Sequence, residues 1–172
     1  HEAGAFTGAQ KRRLGRFERA DKGTLFLDEI ATASPRIQEK LLRVIEYGEF
    51  ERVGGETTLT TDVRIVAATN VDLRAAARNG DFRPDLLDRL AFDVVFAPPL
   101  RERRSEIPPI VNYYINHYSA RFGKRDITFT PQTIDLLMVC EWEGNVRQLC
   151  NEVQRIIARG EDHDVITPEH LS

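Results

Sequence analysis

The sequence predicts an α/β fold in which a parallel sheet flanked by helices is followed by a small all-helical unit. Two observations support this prediction. Short apolar runs alternate with helical patterns in the first part of the chain, as expected for a parallel sheet covered by helices. The composition then changes near residues 97–100, and beyond them only helical periodicity remains. We therefore expect two domains, residues 1–97 and residues 98–172.

The elements of the first part follow from its apolar pattern. Short apolar runs predict buried strands at residues 24–27, 63–68 and 92–96. Residues 34–47 predict a helix, because a serine that suits the N-cap and a first-turn proline precede apolar residues that recur on one face. Residues 57–61 predict a hairpin edge after a pair of glycines.

The second part predicts helices alone. Apolar residues recur every three or four positions over residues 107–122, which is typical of an amphipathic helix. Thr130 and Pro131 have the residue types that begin a second helix. We expect Asn145 to cap a third helix, whose apolar stripe ends at Ile157.

The composition is that of a water-soluble globular protein. Hydrophobic residues make up 41% of the 172 residues and charged residues 30%. The 24 basic and 27 acidic residues give a net charge of −3, which argues against DNA binding through bulk charge. No apolar run approaches the ~18 residues of a membrane span, so we expect no membrane contact. Cys140 and Cys150 form neither a metal-binding pattern nor a disulfide framework, which suits a reducing cytoplasm.

The first two predicted strands each end in polar residues. Asp28 and Glu29 follow the first strand, where an aspartate can hold Mg²⁺ against nucleotide phosphates and a glutamate can orient or deprotonate a water molecule. Thr69 and Asn70 follow the next strand, where a polar side chain can touch a γ-phosphate or the attacking water. The alternatives are a solvated strand end and an ordinary turn.

Three arginines are candidates for contact with phosphate, since a guanidinium keeps its charge and donates paired hydrogen bonds. Arg83 precedes and Arg89 ends a short predicted helix, and Arg147 follows Val146 in the helix that Asn145 is expected to cap. The alternative for Arg89 is an ordinary helix-surface pair with Asp85, four residues earlier. The alternative for Arg147 is a solvated side chain.

A small-residue segment near the start of the chain predicts a partner-binding loop. It consists of Gly4, Ala5, Phe6, Thr7, Gly8 and Ala9. Small residues permit a tight, mobile loop, and an aromatic side chain at its tip suits contact with a partner. The alternative is an ordinary turn with the aromatic ring in a core. The pattern G-x-x-x-x-G-K-[ST] of a phosphate-binding loop occurs nowhere in the chain.

The order of these motifs resembles one family. GAFTGA, GTLFLDE, AATN, RPDLLDRLAFDVV, PPLRERR and GNVRQL follow one another as in the bacterial enhancer-binding proteins. These are AAA+ ATPases that activate the sigma-54 RNA polymerase. The resemblance extends from His1 to about Ser172, and GAFTGA is highly specific for the family.

The resemblance implies roles for the strand-end residues and the arginines. Asp28 would hold Mg²⁺ and Glu29 would activate the hydrolytic water, as the Walker B pair does. Thr69 and Asn70 would form sensor I. The remaining roles belong to arginines: Arg83 and Arg89 would be arginine fingers that act in trans, and Arg147 would be sensor II on a helical lid.

The resemblance also implies partners and a mechanism. The loop of residues 4–9 would contact sigma-54 through Phe6 and Thr7, and a second surface loop around Arg52 would couple it to nucleotide state. ATP would bind between subunits of a ring, typically a hexamer, and hydrolysis would remodel the closed complex of RNA polymerase. Enhancer DNA would be bound only by a separate domain.

The chain lacks an initial methionine and a phosphate-binding loop, and both bear on its activity in isolation. The chain begins at His1 and its only methionine is Met138, so we expect a fragment of a longer protein. Without a phosphate-binding loop, we expect the isolated chain to be inactive as an ATPase. The alternatives are a non-catalytic module that presents its loop to sigma-54, and another AAA+ machine, such as a chelatase or helicase subunit, with a similar loop.

Overall fold

The computed structural model describes residue 11 and residues 14–171. The chain divides into two compact units, the first ending at Val95 and the second beginning at Phe96. The elements of the first unit are α1 (Arg16–Arg19), β1 (Thr24–Leu27), α2 (Pro35–Tyr47), β2 (Glu49–Glu51), β3 (Thr58–Thr60), β4 (Arg64–Ala67), α3 (Leu73–Asn79) and α4 (Pro84–Leu90). Those of the second are α5 (Ile107–Phe122), β5 (Thr128–Phe129), α6 (Pro131–Val139), α7 (Asn145–Arg159) and β6 (Val165–Ile166).

A parallel pair of strands forms the centre of the first unit. β1 and β4 pair in parallel, with Thr24 opposite Arg64 and Leu27 opposite Ala67. The predicted α/β class, with a helical second part, is confirmed. The expectation that both strands are buried on both faces is wrong, because Phe26 and Val66 are 60% and 38% exposed. Only the opposite face of the pair packs against helices within the part of the chain that the structure describes.

That covered face packs on a small apolar core. Its buried members are Ile30, Leu41, Phe82 and Leu86, which come from the turn after β1 and from α2, the α3–α4 connection and α4. Leu27 of β1 and Ile65 and Ala67 of β4 pack against this cluster. The core therefore fixes the helices relative to the carboxyl ends of the two strands.

The helix α2 and the hairpin after it match the prediction. Ser34 is the N-cap residue and Pro35 lies in the first turn. β2 and β3 pair antiparallel, with Phe50 opposite Leu59. Gly48 ends α2 with a φ of +68°, and a Cβ atom there would lie 2.9 Å from the carbonyl oxygen of Thr61. Glycine is required at this turn both by its left-handed backbone and by the close approach.

The predicted strand at residues 92–96 is wrong. These residues adopt no helix or strand, and Phe92, Val95 and Phe96 are 96%, 89% and 79% exposed. A strand needs a neighbour for its N–H and C=O groups, and an apolar run alone does not supply one.

The second unit is a helical cluster with its own core. Residues of α5, α6 and α7 and of the segments between them supply the buried side chains, among them Ile107, Val111, Leu137, Leu149 and Val153. The unit also contains a short parallel pair, β5–β6, that the helical periodicity did not predict. Trp142 is 6% exposed, and its Nε1 atom donates to the carbonyl oxygen of Leu137 at 2.7 Å.

The two predicted helix caps of this unit have different outcomes. Thr130 caps α6, accepting a hydrogen bond from the backbone N–H of Thr133 at 3.2 Å. The cap predicted at Asn145 is wrong, because Gly144 occupies the N-cap position of α7. The Asn145 side chain instead accepts a hydrogen bond from the backbone N–H of Leu100 at 2.8 Å, and so joins the start of α7 to the segment before α5. Among the described residues, no helix is long and apolar enough to cross a membrane.

Replacing Gly48 with alanine tests the turn after α2. The left-handed backbone costs an alanine about 1–2 kcal/mol, and the Cβ contact with Thr61 adds to that cost. Gly80→Ala is the matched control, because Gly80 has a φ of +83° and nothing lies within 4 Å of its added Cβ. We expect chemical denaturation to give the larger loss of stability for Gly48→Ala. Equal losses would contradict the close approach.

Candidate functional site

The ends of β1 and β4 are joined by backbone hydrogen bonds beyond the paired strands. The N–H of Ala68 donates to the carbonyl of Leu27 at 2.8 Å, and the N–H of Ile30 donates to the carbonyl of Ala68 at 3.0 Å. These bonds hold the segment of Asp28 and Glu29 beside the start of the segment of Thr69 and Asn70. The structure thus brings four of the predicted site residues to neighbouring strand ends.

The acidic pair has a constrained backbone and exposed side chains. Glu29 has a φ of +52°, which is an unusual left-handed conformation for a residue with a side chain. Its N–H donates to Oδ1 of Asp28 at 3.0 Å, and it begins the short 3₁₀ turn Ile30–Thr32. Within the described residues, the Glu29 carboxylate makes no hydrogen bond or ion pair, so its oxygens can take a ligand.

A cleft of about 320 Å³ lies against this turn. Asp28 and Glu29 line it together with the cationic side chains of Arg16 and Lys40. Thr32 and seven apolar residues complete the lining, the latter being Phe17, Leu25, Leu27, Ile30, Ala33, Ile37 and Leu41. The cleft therefore combines an apolar wall with both signs of charge, which suits a polar ligand held with a cation.

The two residues after β4, Thr69 and Asn70, differ in whether their side chains form hydrogen bonds. The Thr69 hydroxyl accepts a hydrogen bond from the N–H of Val71 at 3.0 Å, so the turn considered as an alternative is present. Its O–H can still donate. Asn70 is exposed, and its side-chain amide has no partner within the part of the chain that the structure describes.

Both candidate arginines of α4 are held in ion pairs. Arg83 precedes the helix and makes a two-pronged contact with Asp85, with Nε to Oδ1 at 3.0 Å and Nη2 to Oδ2 at 2.6 Å. Arg89 pairs with Glu46 of α2 through contacts of 3.1 and 2.9 Å. The alternative pairing of Asp85 with Arg89 is wrong, because Asp85 turns back to Arg83. Both pairs are exposed and can open at little cost.

The Arg83–Asp85 contact perturbs both groups. The hydrogen bond to Asp85 raises the pKa of the Arg83 guanidinium. The same bond is the main cause of the lowered pKa of the Asp85 carboxyl, and the backbone N–H of Leu86 also lowers it. Since the folded pKa of Asp85 is depressed, the pair stabilises the fold above the ordinary aspartate pKa, and that contribution disappears as pH falls through the lowered value.

Sequence reasoning missed one residue of this region. Gln38 of α2 is 2% exposed, and its Oε1 atom accepts a hydrogen bond from the backbone N–H of Arg83 at 2.8 Å. The available signal was a polar residue placed within the apolar pattern of α2, one position after Ile37 and three before Leu41.

Arg147 lies in the second unit. It is exposed on α7 and lines an open groove of about 520 Å³ with Gln148, Asn151, Arg155 and Arg159. Arg147 has no ion pair among the described residues. The alternative prediction, a solvated side chain, therefore matches the structure. The Arg147 guanidinium is also free to bind an anion.

Arg52 forms an ion pair with Glu18 and is largely buried. Its Nε atom lies 3.1 Å from both carboxylate oxygens of Glu18, and the side chains of the two residues are only 10% and 11% exposed. Glu18 also accepts a hydrogen bond from the N–H of Gly15 at 2.9 Å. The Arg52 guanidinium is therefore turned towards α1, and the coupling role that the resemblance implies for Arg52 stays a prediction. The predicted loop of residues 4–9 lies outside the described residues.

Comparison with known proteins then decides the family. Residues 1–95 match the family described as the sigma-54 interaction domain. The chain belongs to this family. Residues 101–172 match the AAA+ ATPase lid domain. The resemblance to sigma-54-dependent activators that the motifs suggested is confirmed.

The curated relatives of this sigma-54 interaction domain include an operon activator and a Nif-specific regulatory protein. The Psp operon transcriptional activator of Escherichia coli (strain K12) is 57% identical over 160 residues, which cover 92% of this chain and 49% of that protein. The Nif-specific regulatory protein of Herbaspirillum seropedicae is 49% identical over 174 residues, which cover 100% of this chain and 32% of that protein. The chain thus spans half or less of the length of these relatives.

Solved structures agree with the family. NtrX from Brucella abortus has a TM-score of 0.90 and 35% identity, covering 96% of this chain and 38% of that one. NtrX in complex with ATP has a TM-score of 0.87 and 36% identity, covering 94% and 38%. The fold of this sigma-54 interaction domain and lid is therefore that of a protein crystallised with a nucleotide.

Replacing Arg83 with alanine tests the geometry at the start of α4. We expect the pKa of the Asp85 carboxyl to rise towards the ordinary value of about 3.9, while Leu86 keeps it somewhat below. Carbon-detected NMR titration measures the change. Asp72 is the control, since its pKa is lowered chiefly by the backbone N–H of Ala75 and does not depend on Arg83. An unchanged pKa at Asp85 would contradict the paired geometry.

Proposed function

We propose that the chain is the ATP-hydrolysing AAA+ core of a sigma-54-dependent transcriptional activator, which remodels the RNA polymerase closed complex. The observation that carries this proposal is the placement of Asp28 and Glu29 beside Asn70 at neighbouring strand ends, with the Glu29 carboxylate and the Asn70 amide uncommitted among the described residues. The family match and the ATP complex of NtrX support it.

The strand-end residues have the chemistry that ATP hydrolysis needs. Carboxylate oxygens are ligands that Mg²⁺ prefers, and Asp28 uses only Oδ1 for the N–H of Glu29. Asp28 would hold Mg²⁺ when ATP is bound, and Glu29 would orient and deprotonate the attacking water. Asn70 and the Thr69 O–H would contact the γ-phosphate. Mg²⁺ would neutralise charge that develops on the phosphates.

Three arginines would complete the nucleotide site, two from a neighbouring subunit and one from the lid. Arg83 and Arg89 would stabilise the transition-state charge in the site of a neighbouring subunit, so hydrolysis would depend on assembly of a ring, typically a hexamer. Each would exchange an exposed carboxylate partner, Asp85 or Glu46, for a phosphate. Arg147 would contact bound phosphates from the lid. In this proposal residues 1–97 form the nucleotide-binding subdomain and residues 98–172 the lid.

The loop of residues 4–9 would carry the movement to sigma-54, with Phe6 and Thr7 in contact. The buried Glu18–Arg52 pair supports a route for that movement, because it ties α1 to the β2–β3 hairpin. The protein would act in the cytoplasm with the RNA polymerase holoenzyme. Enhancer DNA would be bound by a separate domain.

A second candidate function is a non-catalytic sigma-54 interaction module. The 172 residues do not themselves contain the sequence G-x-x-x-x-G-K. Backbone N–H groups and a lysine of that motif cradle the triphosphate in related ATPases, so this chain by itself would hydrolyse ATP poorly. In that case it would present residues 4–9 to sigma-54 without turnover.

Replacing Glu29 with glutamine separates the two functions in the full-length protein. We expect ATP turnover to fall by about 10²-fold or more, because the base that activates water is lost, while ATP binding remains. Turnover and nucleotide binding are measured by phosphate release and by a fluorescent ATP analogue. Glu102→Gln, an exposed change in the second unit, is the control. Undiminished turnover would remove Glu29 from the mechanism, and no turnover in the unaltered protein would favour the second function.

Replacing Thr7 with alanine tests the partner loop. We expect ATP turnover to stay within about twofold, since the change leaves the strand-end residues intact, and we expect open-complex formation at a sigma-54 promoter to be lost. A permanganate footprint of the melted promoter measures the second quantity. Survival of promoter melting would show that residues 4–9 are not the contact with sigma-54.

A further inference from the structure

Gln38 is a buried amide whose nitrogen and oxygen both have hydrogen-bond partners. Its Nε2 atom donates to the carbonyl of Ala33 at 2.8 Å and to the carbonyl of Asp81 at 3.3 Å. Its Oε1 atom accepts from the N–H of Arg83 at 2.8 Å. Among the described residues of the first unit, Gln38 is the most deeply buried polar residue, at 2% exposure. Such a group is retained in a core only when its partners are held in place.

The hydrogen-bond partners of this amide lie on two segments: the turn that follows the acidic pair and the segment that leads into α4. Ala33 closes the 3₁₀ turn that begins at Glu29, with its N–H donating to the carbonyl of Ile30 at 3.1 Å. Asp81 and Arg83 belong to the segment that leads into α4. A single side chain therefore joins the turn of the acidic pair to the backbone of a candidate arginine finger.

Apolar packing strengthens the same connection. Ile30, which follows Glu29, and Phe82, which precedes Arg83, are 4% and 2% exposed and belong to one buried cluster. Leu41, one turn after Gln38 on α2, packs in that cluster too. A shift of the turn after Glu29 would either break hydrogen bonds of Gln38 in a low-dielectric interior or carry the start of α4 with it.

We propose that Gln38 is a positioning residue that sets the place of Arg83 according to the state of the same subunit's acidic turn. The nucleotide in one subunit would thereby control the arginine presented to the next subunit. This inference rests on the proposed function of Arg83 in trans. Gln38 does not line the cleft of Asp28 and Glu29, so it acts through Arg83 and not on nucleotide directly.

The first test is steady-state kinetics of Gln38→Met in the full-length protein. We expect kcat to fall about tenfold or more through misplacement of Arg83, with KM for ATP changed by less than about threefold. Thr133→Val is the matched control: Thr133 is 0% exposed and its hydroxyl donates to the carbonyl of Ile166 at 2.9 Å in the second unit. A rise in KM with kcat retained would overturn the proposal.

A thermal melt establishes that Gln38→Met is folded at the assay temperature. If it is not, Gln38→Glu replaces it. Its carboxylate keeps an acceptor for the N–H of Arg83 but faces the carbonyls of Ala33 and Asp81 without a donor. Protonation returns one donor, so we expect the kcat of Gln38→Glu, relative to the unaltered protein, to recover as pH falls. A flat relative profile would contradict the positioning role.

The decisive test mixes subunits. Glu29→Gln subunits cannot activate water but carry an intact Gln38 and Arg83. In a ring mixed with Gln38→Met subunits, they would supply a well-placed Arg83 to the sites of the Gln38→Met subunits. We expect turnover above the sum of the separate rates. The mixture of Arg83→Ala with Glu29→Gln is the reference for action in trans.

The two mixtures distinguish failure of this inference from failure of the proposed function. Recovery in both supports the positioning role. Recovery with Arg83→Ala but not with Gln38→Met overturns it and leaves the trans role of Arg83 standing. Absence of recovery with Arg83→Ala overturns the trans role, and the inference about Gln38 with it.

Discussion

The parallel pairing of β1 with β4 is the constraint on which the candidate site depends. The hydrogen bonds from Ala68 to Leu27 and from Ile30 to Ala68 continue the pairing past the last residues of the strands. They fix the backbone at Glu29 in its left-handed conformation and bring the acidic pair beside Thr69 and Asn70. Exposed side chains can then be accurately placed, because the backbone that carries them is held by the sheet.

Around this fixed backbone, the charged groups are held only weakly. The Arg83–Asp85 and Arg89–Glu46 pairs are exposed, so water screens them and ligand oxygens can compete for the guanidinium groups. The Glu18–Arg52 pair differs, since burial makes the loss of either partner costly. The first unit thus combines two arginines in exposed ion pairs, which can change partners, with a buried ion pair that joins α1 to the β2–β3 hairpin.

Much of this arrangement was predictable from local sequence. The strand at residues 24–27, the helix after Ser34 and the cap at Thr130 follow from apolar spacing and capping chemistry. The errors at residues 92–96 and at Asn145 arose because neither a strand partner nor the contact with Leu100 is encoded near the residue concerned. Gln38 was missed for the same reason: its partners lie on segments up to 45 residues away. Long-range hydrogen bonds, which local sequence does not encode, therefore account for the positions of Asn145 and Gln38.

The environment of Trp142 has a consequence for observing the protein. It is the single tryptophan of the chain, it lies in the second unit, and its indole is buried with its N–H bonded to Leu137. Intrinsic emission excited at the red edge of the ultraviolet band therefore originates from this unit alone, without a label. An optical signal intrinsic to the chain distinguishes unfolding of the second unit from that of the first, whose aromatic side chains are phenylalanine and tyrosine.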